Sequence, residues 1–137
     1  MTTIVVQSKE NLRQEITAGN HILIADEPIA SGGADAGPDP YSLLLAALGA
    51  CTSMTLQIYA RQKQWQLQSV RVVLTHERIH AADCEQCETK EGKLDRIWRE
   101  IHLEGELNKE QQLRLRDIAK RCPVHRTLTS EISIVDR

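Results

Sequence analysis

The sequence predicts an α+β fold with an antiparallel sheet. Three features carry the prediction: short alternating segments near the N-terminus, one long apolar run after them, and two further alternating segments separated by a polar stretch. Alternation of polar and apolar residues is typical of half-buried strands, whereas a long apolar run favours a helix. The predicted order is strands, a buried helix, a hairpin and a second helix. This order is typical of an α+β fold.

Three short strands are expected before residue 30. The alternation places them at Thr3–Gln7, Leu12–Thr17 and His21–Ala25, with Gly19-Asn20 as the turn between the last two. A loop rich in glycine, serine and proline covers residues 31–38. Asp39 and Pro40 then match an N-cap residue and the first residue of a helix.

The long helix is predicted from Tyr41 to about Gln64. Leucine and alanine cover almost its whole circumference between Leu43 and Leu48. A helix that is apolar all round is buried on all sides, so we expect it to be the central element of the fold.

The second half of the chain predicts a long hairpin and a short helical region. The hairpin strands are Val70–His80 and Leu94–Leu103, and its polar tip is Ala81–Gly92. Asn108 to Gln111 resembles a capping box, and the stripe that follows is Leu115, Ile118, Ala119 and Cys122. A short helix around His125–Ser130 and a closing strand at Ile132–Val135 complete the prediction.

Composition limits the class of protein. The 137 residues suit one domain, residues 1–137, and a net charge of −2 gives no basic field for nucleic acid or for an anionic membrane. The N-terminus lacks the apolar core of a secretory signal, and polar groups interrupt the long helix, so a cytoplasmic protein is expected. Cytoplasmic thiols stay reduced, so the four cysteines indicate redox chemistry or metal binding.

Two of the cysteines stand alone in the sequence. Cys51 lies within the predicted long helix, where a free cysteine can be a small core residue, although its neighbours Thr52 and Ser53 could donate hydrogen bonds to a thiolate. Cys122 precedes Pro123 and the short helix, so it occupies a helix N-terminus, which favours a thiolate. An ordinary helix-cap cysteine is the alternative there.

Several segments, taken in order, resemble the OsmC/Ohr superfamily, in particular its OsmC-like branch. Gly37 to Thr52 looks like the start of that family's central helix with its first cysteine, and Arg121 to His125 looks like its second cysteine motif. Ala18 to His21 and Asp26 to Pro28 match the N-terminal strands of the branch.

The resemblance implies an intertwined homodimer with antiparallel sheets packed around long central helices. It also implies a thiol peroxidase without a cofactor, in which Cys51 attacks an organic hydroperoxide or hydrogen peroxide and becomes a sulfenic acid. Cys122 then condenses with it to a Cys51–Cys122 disulfide, which an external dithiol reduces.

The family also uses an arginine and a glutamate beside the first cysteine. Arg13 lies in the region of that arginine; the other candidates are Arg61, Arg121 and Arg126. The glutamate position corresponds to Tyr41 here, and Asp39 is the nearest acid. This departure makes a non-catalytic redox sensor or binding protein of the same fold the main alternative to the enzyme.

The polar hairpin tip has a separate pattern, His76-x3-His80-x3-Cys84-x2-Cys87. Imidazole and thiolate groups at such spacings suit tetrahedral zinc, so a zinc-binding module is a third hypothesis. The alternatives for Cys84 and Cys87 are a redox pair or a loop feature without chemistry. We expect that the tip holds no metal. His125 is a further candidate for tuning Cys122.

Overall fold

The N-terminal sheet has the three strands that the alternation predicts. The computed structural model describes residues 1–137, which form two compact units, Met1–Leu44 and Leu45–Arg137. In the first unit, the antiparallel strands β1 (Val5–Ser8), β2 (Gln14–Ala18) and β3 (His21–Ala25) pair in the order β1-β2-β3. Gly19 has a φ of +59°, which confirms the turn expected between the last two strands. A single domain over residues 1–137 stays a prediction.

The loop after β3 is held by one carboxylate. Asp26 is buried, and it accepts hydrogen bonds from the backbone N–H groups of Glu27 at 2.8 Å, Ala34 at 3.2 Å and Ala36 at 3.1 Å. The bond from Ala36 is the largest cause of a lowered pKa at Asp26, and the charge of Arg13 acts in the same direction against the effect of burial. The ionised carboxylate therefore adds three hydrogen bonds to a loop that backbone hydrogen bonds, such as the one from the Asp35 N–H to the Glu27 carbonyl at 3.1 Å, also hold together.

The long helix α1 spans Pro40–Lys63 and begins as predicted, because Asp39 Oδ1 accepts the Ser42 N–H at 2.8 Å. Its length and apolar composition alone would allow it to cross a membrane. In this chain one stripe of α1 is buried, formed by Leu48, Thr52, Leu56 and Ala60.

The expectation that α1 is buried on all sides is wrong for the single chain. Met54 and Ile58 keep 61% and 55% of their surface exposed. The physical reason is that the packed core of the second unit covers only the side of α1 that carries Leu56 and Ala60.

The hairpin and its tip are confirmed. Strand β4 (Gln66–His80) pairs with β5 (Lys93–Glu106) in an antiparallel ladder that ends at His80 opposite Lys93. A bulge interrupts the register between Leu67 and Ser69. Gly105 lies beside it with a φ of +144°, a conformation that favours glycine.

Helix α2 (Lys109–Ile118) has the predicted capping box. Gln111 N–H donates to Asn108 Oδ1 at 2.7 Å, and Asn108 N–H donates to Gln111 Oε1 at 3.0 Å. A 3₁₀ turn (Ala119–Arg121) and helix α3 (Pro123–Leu128) follow. The core of this unit consists of Leu56, Ala60, Ile101, Leu115, Ile118 and Ala119.

The closing strand expected at Ile132–Val135 is wrong. Residues 131–137 have no regular structure, and Ile134 and Val135 are 86% and 77% exposed. Alternation supplies the side chains of a strand, but a strand forms only when another strand satisfies its backbone groups, and this segment has none within the chain.

Candidate functional site: a hydrogen-bonded cysteine pair

The fold brings the two lone cysteines into contact. Cys51 is half-buried on α1, and Cys122 is fully buried at the N-cap of α3. Both are free thiols, and each shifts the pKa of the other, so the two sulfurs lie next to each other. Residues distant in sequence therefore form one dithiol site.

Local sequence explains the position of Cys122. The apolar stripe of α2 continues through Ala119 to Cys122 and carries the chain into the core, where Pro123 starts a new helix. Cys122 then takes the place usually held by serine or threonine, because its sulfur accepts the His125 N–H at 3.5 Å.

The two thiols have opposite pKa shifts. Burial alone would raise the pKa of Cys122, but hydrogen bonds from the Cys51 thiol and from the N–H groups of His125 and Val124 outweigh burial and lower it. The Thr52 hydroxyl contributes in the same direction. Burial raises the pKa of Cys51, and donation of its proton to Cys122 raises it further.

The pair is therefore asymmetric: the pKa of Cys122 is lowered and the pKa of Cys51 is raised, so Cys122 is the thiol that loses its proton more readily. The sequence predicts a thiolate at Cys122 from its place at a helix N-terminus, and the lowered pKa of Cys122 agrees with that prediction. The expectation that Cys51 is the more reactive thiol stays a prediction. The His125 N–H contributes to this order because it donates to the Cys122 sulfur, whereas the Val124 N–H lowers the pKa of both thiols.

The arginine next to the pair is Arg99, which sequence reasoning misses. Its Nη1 donates to the Thr52 hydroxyl at 3.1 Å and to the Ala119 carbonyl at 3.4 Å. Burial lowers the pKa of Arg99, while the charge of Cys122 acts in the opposite direction. The signal for it is the alternation of β5, where Arg99 occupies an inward position between Ile97 and Ile101.

The arginine named from the sequence lies elsewhere. Arg13 belongs to the first unit, where its guanidinium is 3.8 Å from Glu10 and its Nε atom is buried without a hydrogen bond. Its role beside Cys51 stays a prediction. The three other candidates, Arg61, Arg121 and Arg126, are exposed in the second unit.

A groove opens beside the pair. It has a volume of about 340 Å³, and its walls include the apolar side chains of Leu48, Ile97 and Leu128 together with Arg99 and His125. Burial, followed by the charges of Arg99 and Lys120, lowers the pKa of His125, so its imidazole is neutral at neutral pH.

The first turn of α1 carries no carboxylate. Tyr41, at the position of the family glutamate, is 55% exposed. The nearest acid, Asp39, is engaged as the helix cap, and its hydrogen bonds with Ser42 lower its pKa.

The hairpin tip forms a second cysteine pair of a different kind. Cys84 and Cys87 are joined in a disulfide with their Cα atoms 5.5 Å apart. His76 Nε2 lies 2.8 Å from Asp95 Oδ1. The structure contains no group of three or more histidine, cysteine or acidic side chains arranged around a metal position. The zinc hypothesis for His76, His80, Cys84 and Cys87 therefore gains no geometric support.

Fold and site together define a small α+β protein with a dithiol centre. Residues 32–135 match the model of the OsmC-like protein family, and the chain belongs to that family. No functionally curated protein sequence is significantly similar to it.

Solved structures share the fold at low sequence identity. An OsmC-like protein from Mycoplasma pneumoniae is 20% identical, with a TM-score of 0.74, over 93% of this chain and 86% of that one. The organic hydroperoxide resistance protein OsmC from Legionella pneumophila is 22% identical, with a TM-score of 0.66, over 94% and 89%. An organic hydroperoxide resistance protein from Elizabethkingia anophelis is 16% identical, with a TM-score of 0.68, over 94% and 88%.

Proposed function

We propose that this protein is a cysteine-based thiol peroxidase that reduces organic hydroperoxides or hydrogen peroxide. The observation that carries the proposal is that Cys51 and Cys122, two free cysteines distant in sequence, lie next to each other with Cys122 at the N-cap of α3. The hydroperoxide resistance proteins that share the fold support the choice of substrate.

Exposure assigns the attacking sulfur. Cys51 is half-buried and Cys122 is fully buried, so a peroxide reaches Cys51 first. Cys51 must lose its proton to attack, and Cys122 is the acceptor already hydrogen-bonded to it. Proton transfer along this bond gives a Cys51 thiolate, which attacks one peroxide oxygen and forms a sulfenic acid while the O–O bond breaks. The alkoxide that leaves takes a proton from solvent and becomes an alcohol.

The second step uses the proton that Cys122 has received. The Cys122 sulfur attacks the Cys51 sulfenic acid, a disulfide forms, and the hydroxyl group leaves as water with that proton. An external dithiol then reduces the Cys51–Cys122 disulfide. The pair thus acts as nucleophile, internal base and resolving thiol without a cofactor.

The groove next to the pair suits an organic peroxide. Its apolar residues Leu48, Ile97 and Leu128 can contact an alkyl group, and Arg99 places a positive charge near the site where the alkoxide develops. We therefore propose alkyl hydroperoxides as better substrates than hydrogen peroxide.

We also propose that the protein is a homodimer and that it is located in the cytoplasm. Met54 and Ile58 on α1 and Ile134 and Val135 near the C-terminus are exposed apolar side chains, which a second copy would cover. A partner strand would also give the C-terminal segment the hydrogen bonds it lacks. Sedimentation should show a dimer at micromolar concentration; a stable monomer would exclude this arrangement.

Peroxide consumption tests the enzyme directly. Reduced protein mixed with tert-butyl hydroperoxide should consume one equivalent and form the Cys51–Cys122 disulfide, as read by mass spectrometry after alkylation. A Cys84→Ser/Cys87→Ser variant removes the other two thiols and serves as the control that assigns the reaction to the pair. Oxidation that stays slower than that of a free thiol would contradict the peroxidase and leave the redox sensor or binding protein as the function.

A further inference from the structure

We propose that Cys84 and Cys87 are a second redox centre, which reduces the Cys51–Cys122 disulfide of another copy of the chain. The inference rests on the proposed function, because it supplies the reducing half of that reaction. It concerns a disulfide for which the fold has little structural need.

The hairpin is closed without the disulfide. The β4–β5 ladder runs to His80 opposite Lys93, and the Ala81 N–H donates to the Gly92 carbonyl at 2.8 Å beyond it. The Cys84 N–H donates to the Ala81 carbonyl at 3.1 Å, which fixes the start of the tip. A disulfide between residues three apart closes one of the shortest loops, so it adds little chain-entropy stabilisation to a tip already held by the backbone.

Access favours the tip as the entry point for electrons. Cys84, Cys87 and Cys51 are each partly exposed, whereas Cys122 is fully buried. A protein dithiol of the thioredoxin class is bulky and must bring its sulfur into contact with the disulfide it reduces. The tip cysteines lie at the end of a long hairpin, whereas Cys51 lies beside the buried Cys122, so such a partner can approach the tip more readily than the pair.

Charge supports the direction of transfer and the partner. Four carboxylates and one lysine surround the tip cysteines: Asp83, Glu85, Glu88, Glu91 and Lys90. Negative neighbours disfavour thiolates, which favours the oxidised tip and makes the reduced dithiol a good electron donor. The exposed cations near Cys122 are Lys120, Arg121 and Arg126, so the acidic tip of one copy complements the site of another.

The two centres of one chain are too far apart to react. Arg99 contacts Thr52 at the pair, and Lys93 at the base of the tip is six residues away along β5. An extended strand rises about 3.3 Å per residue, which separates them by roughly 20 Å. The exchange therefore takes place between two copies.

The step is an ordinary thiol–disulfide exchange. One tip thiolate attacks the Cys51 sulfur, the Cys51–Cys122 bond breaks, and Cys122 leaves as a thiolate held by the N–H groups of His125 and Val124. The other tip thiol attacks the mixed disulfide, Cys51 leaves as a thiol, and the tip becomes a disulfide. Two electrons and one proton pass from the tip to the pair, because the tip starts as one thiolate and one thiol and the pair ends as one thiol and one thiolate. The protein dithiol then reduces the tip.

The test measures how fast a thioredoxin-class protein dithiol reduces the pair. Diamide forms the Cys51–Cys122 disulfide whether or not peroxide does, so failure of the peroxidase proposal does not affect the result. We expect reduction of that disulfide to be at least about tenfold slower in Cys84→Ser/Cys87→Ser than in the unmodified protein, because a direct route to a buried disulfide is slow. Gln86→Ser, in the same tip, is the matched control and should reduce at the unmodified rate.

Trapping and salt dependence complete the experiment. Single variants Cys84→Ser and Cys87→Ser cannot finish the exchange, so at least one of them should accumulate a disulfide to Cys51 of a second chain, detectable by mass spectrometry. Higher salt should slow the reduction in the unmodified protein by weakening the attraction between tip and site. Equal reduction rates in the unmodified protein and the double variant would overturn the proposal.

Discussion

The two cysteine pairs differ in almost every physical respect. Cys51 and Cys122 are brought together by packing between α1 and the start of α3, and they remain free thiols whose pKa values shift in opposite directions. Cys84 and Cys87 are three residues apart on an exposed turn and are joined in a disulfide. Surroundings therefore decide what the same side chain can do: the buried pair is tuned for reaction with an oxidant, and the exposed pair for exchange with a partner.

Replacing Cys51, the proposed attacking thiol, should have the largest effect on peroxide consumption. Cys51→Ser should lower peroxide consumption by roughly 10³-fold or more, because no sulfenic acid can form at the exposed sulfur of the site. Cys84→Ser/Cys87→Ser, measured over a single turnover, is the control, since it removes thiols that lie outside the pair. Substantial peroxide consumption by Cys51→Ser, measured with tert-butyl hydroperoxide, would show that Cys122 or the tip reacts directly.

Replacing Cys122 should change the oxidation product at Cys51 without blocking the first reaction with peroxide. In Cys122→Ser the Cys51 sulfenic acid has no partner, so a peroxide pulse should drive Cys51 to the sulfinic state. Mass spectrometry should find that species in the variant and the Cys51–Cys122 disulfide in the unmodified protein. A protected sulfenic acid in Cys122→Ser would argue against a resolving role for Cys122.

The pKa order of the pair predicts a pH dependence. Because the pKa of Cys122 is lowered, its thiolate should persist below the pH at which ordinary cysteine ionises and should be lost as the pH falls through that lowered pKa. Cys51→Ala removes a hydrogen bond to Cys122, so the ultraviolet absorbance of the thiolate should then shift to higher pH. An unchanged titration curve would mean that the two sulfurs do not interact.

Arg99 should have a moderate effect. Arg99→Met keeps the length of the side chain but removes the charge beside Thr52 and Cys122, so peroxide reduction at neutral pH should slow by about tenfold. The matched control is Arg96→Met on the same strand, where the arginine lies 5.4 Å from the Trp98 ring. Equal slowing in both variants would indicate damage to β5 and no specific role for Arg99.

The tip should have the smallest effect on the oxidising step. The Cys84→Ser/Cys87→Ser variant should consume its first equivalent of peroxide at the unmodified rate, because Lys93 at the base of the tip is roughly 20 Å along β5 from Arg99, which contacts Thr52 beside the pair. Stopped-flow kinetics with excess peroxide isolates that single turnover. A slower first turnover with an intact fold would show that the two pairs are coupled before any reductant is added.

Local sequence determined most of the elements of this protein. Residues Asn108 and Gln111 satisfy each other's backbone groups, and Asp39 caps α1, so these helix starts depend only on neighbours in the chain. The hairpin and its tip likewise follow from alternation and its interruption. The sequence by itself also marked Cys51 and Cys122 as the reactive residues, through their resemblance to the family motifs.

Tertiary structure alone decided how those residues are tuned. Arg99 looks like any charged strand residue in the sequence, and only the packing of β5 against α1 places it beside Thr52. The opposite pKa shifts of the pair depend on the contact between the two sulfurs and on the His125 N–H that donates to Cys122. Residues 132–135 also form no strand in the single chain. Alternation within one segment is not enough, because the backbone of a strand needs a neighbouring strand to accept and donate its hydrogen bonds.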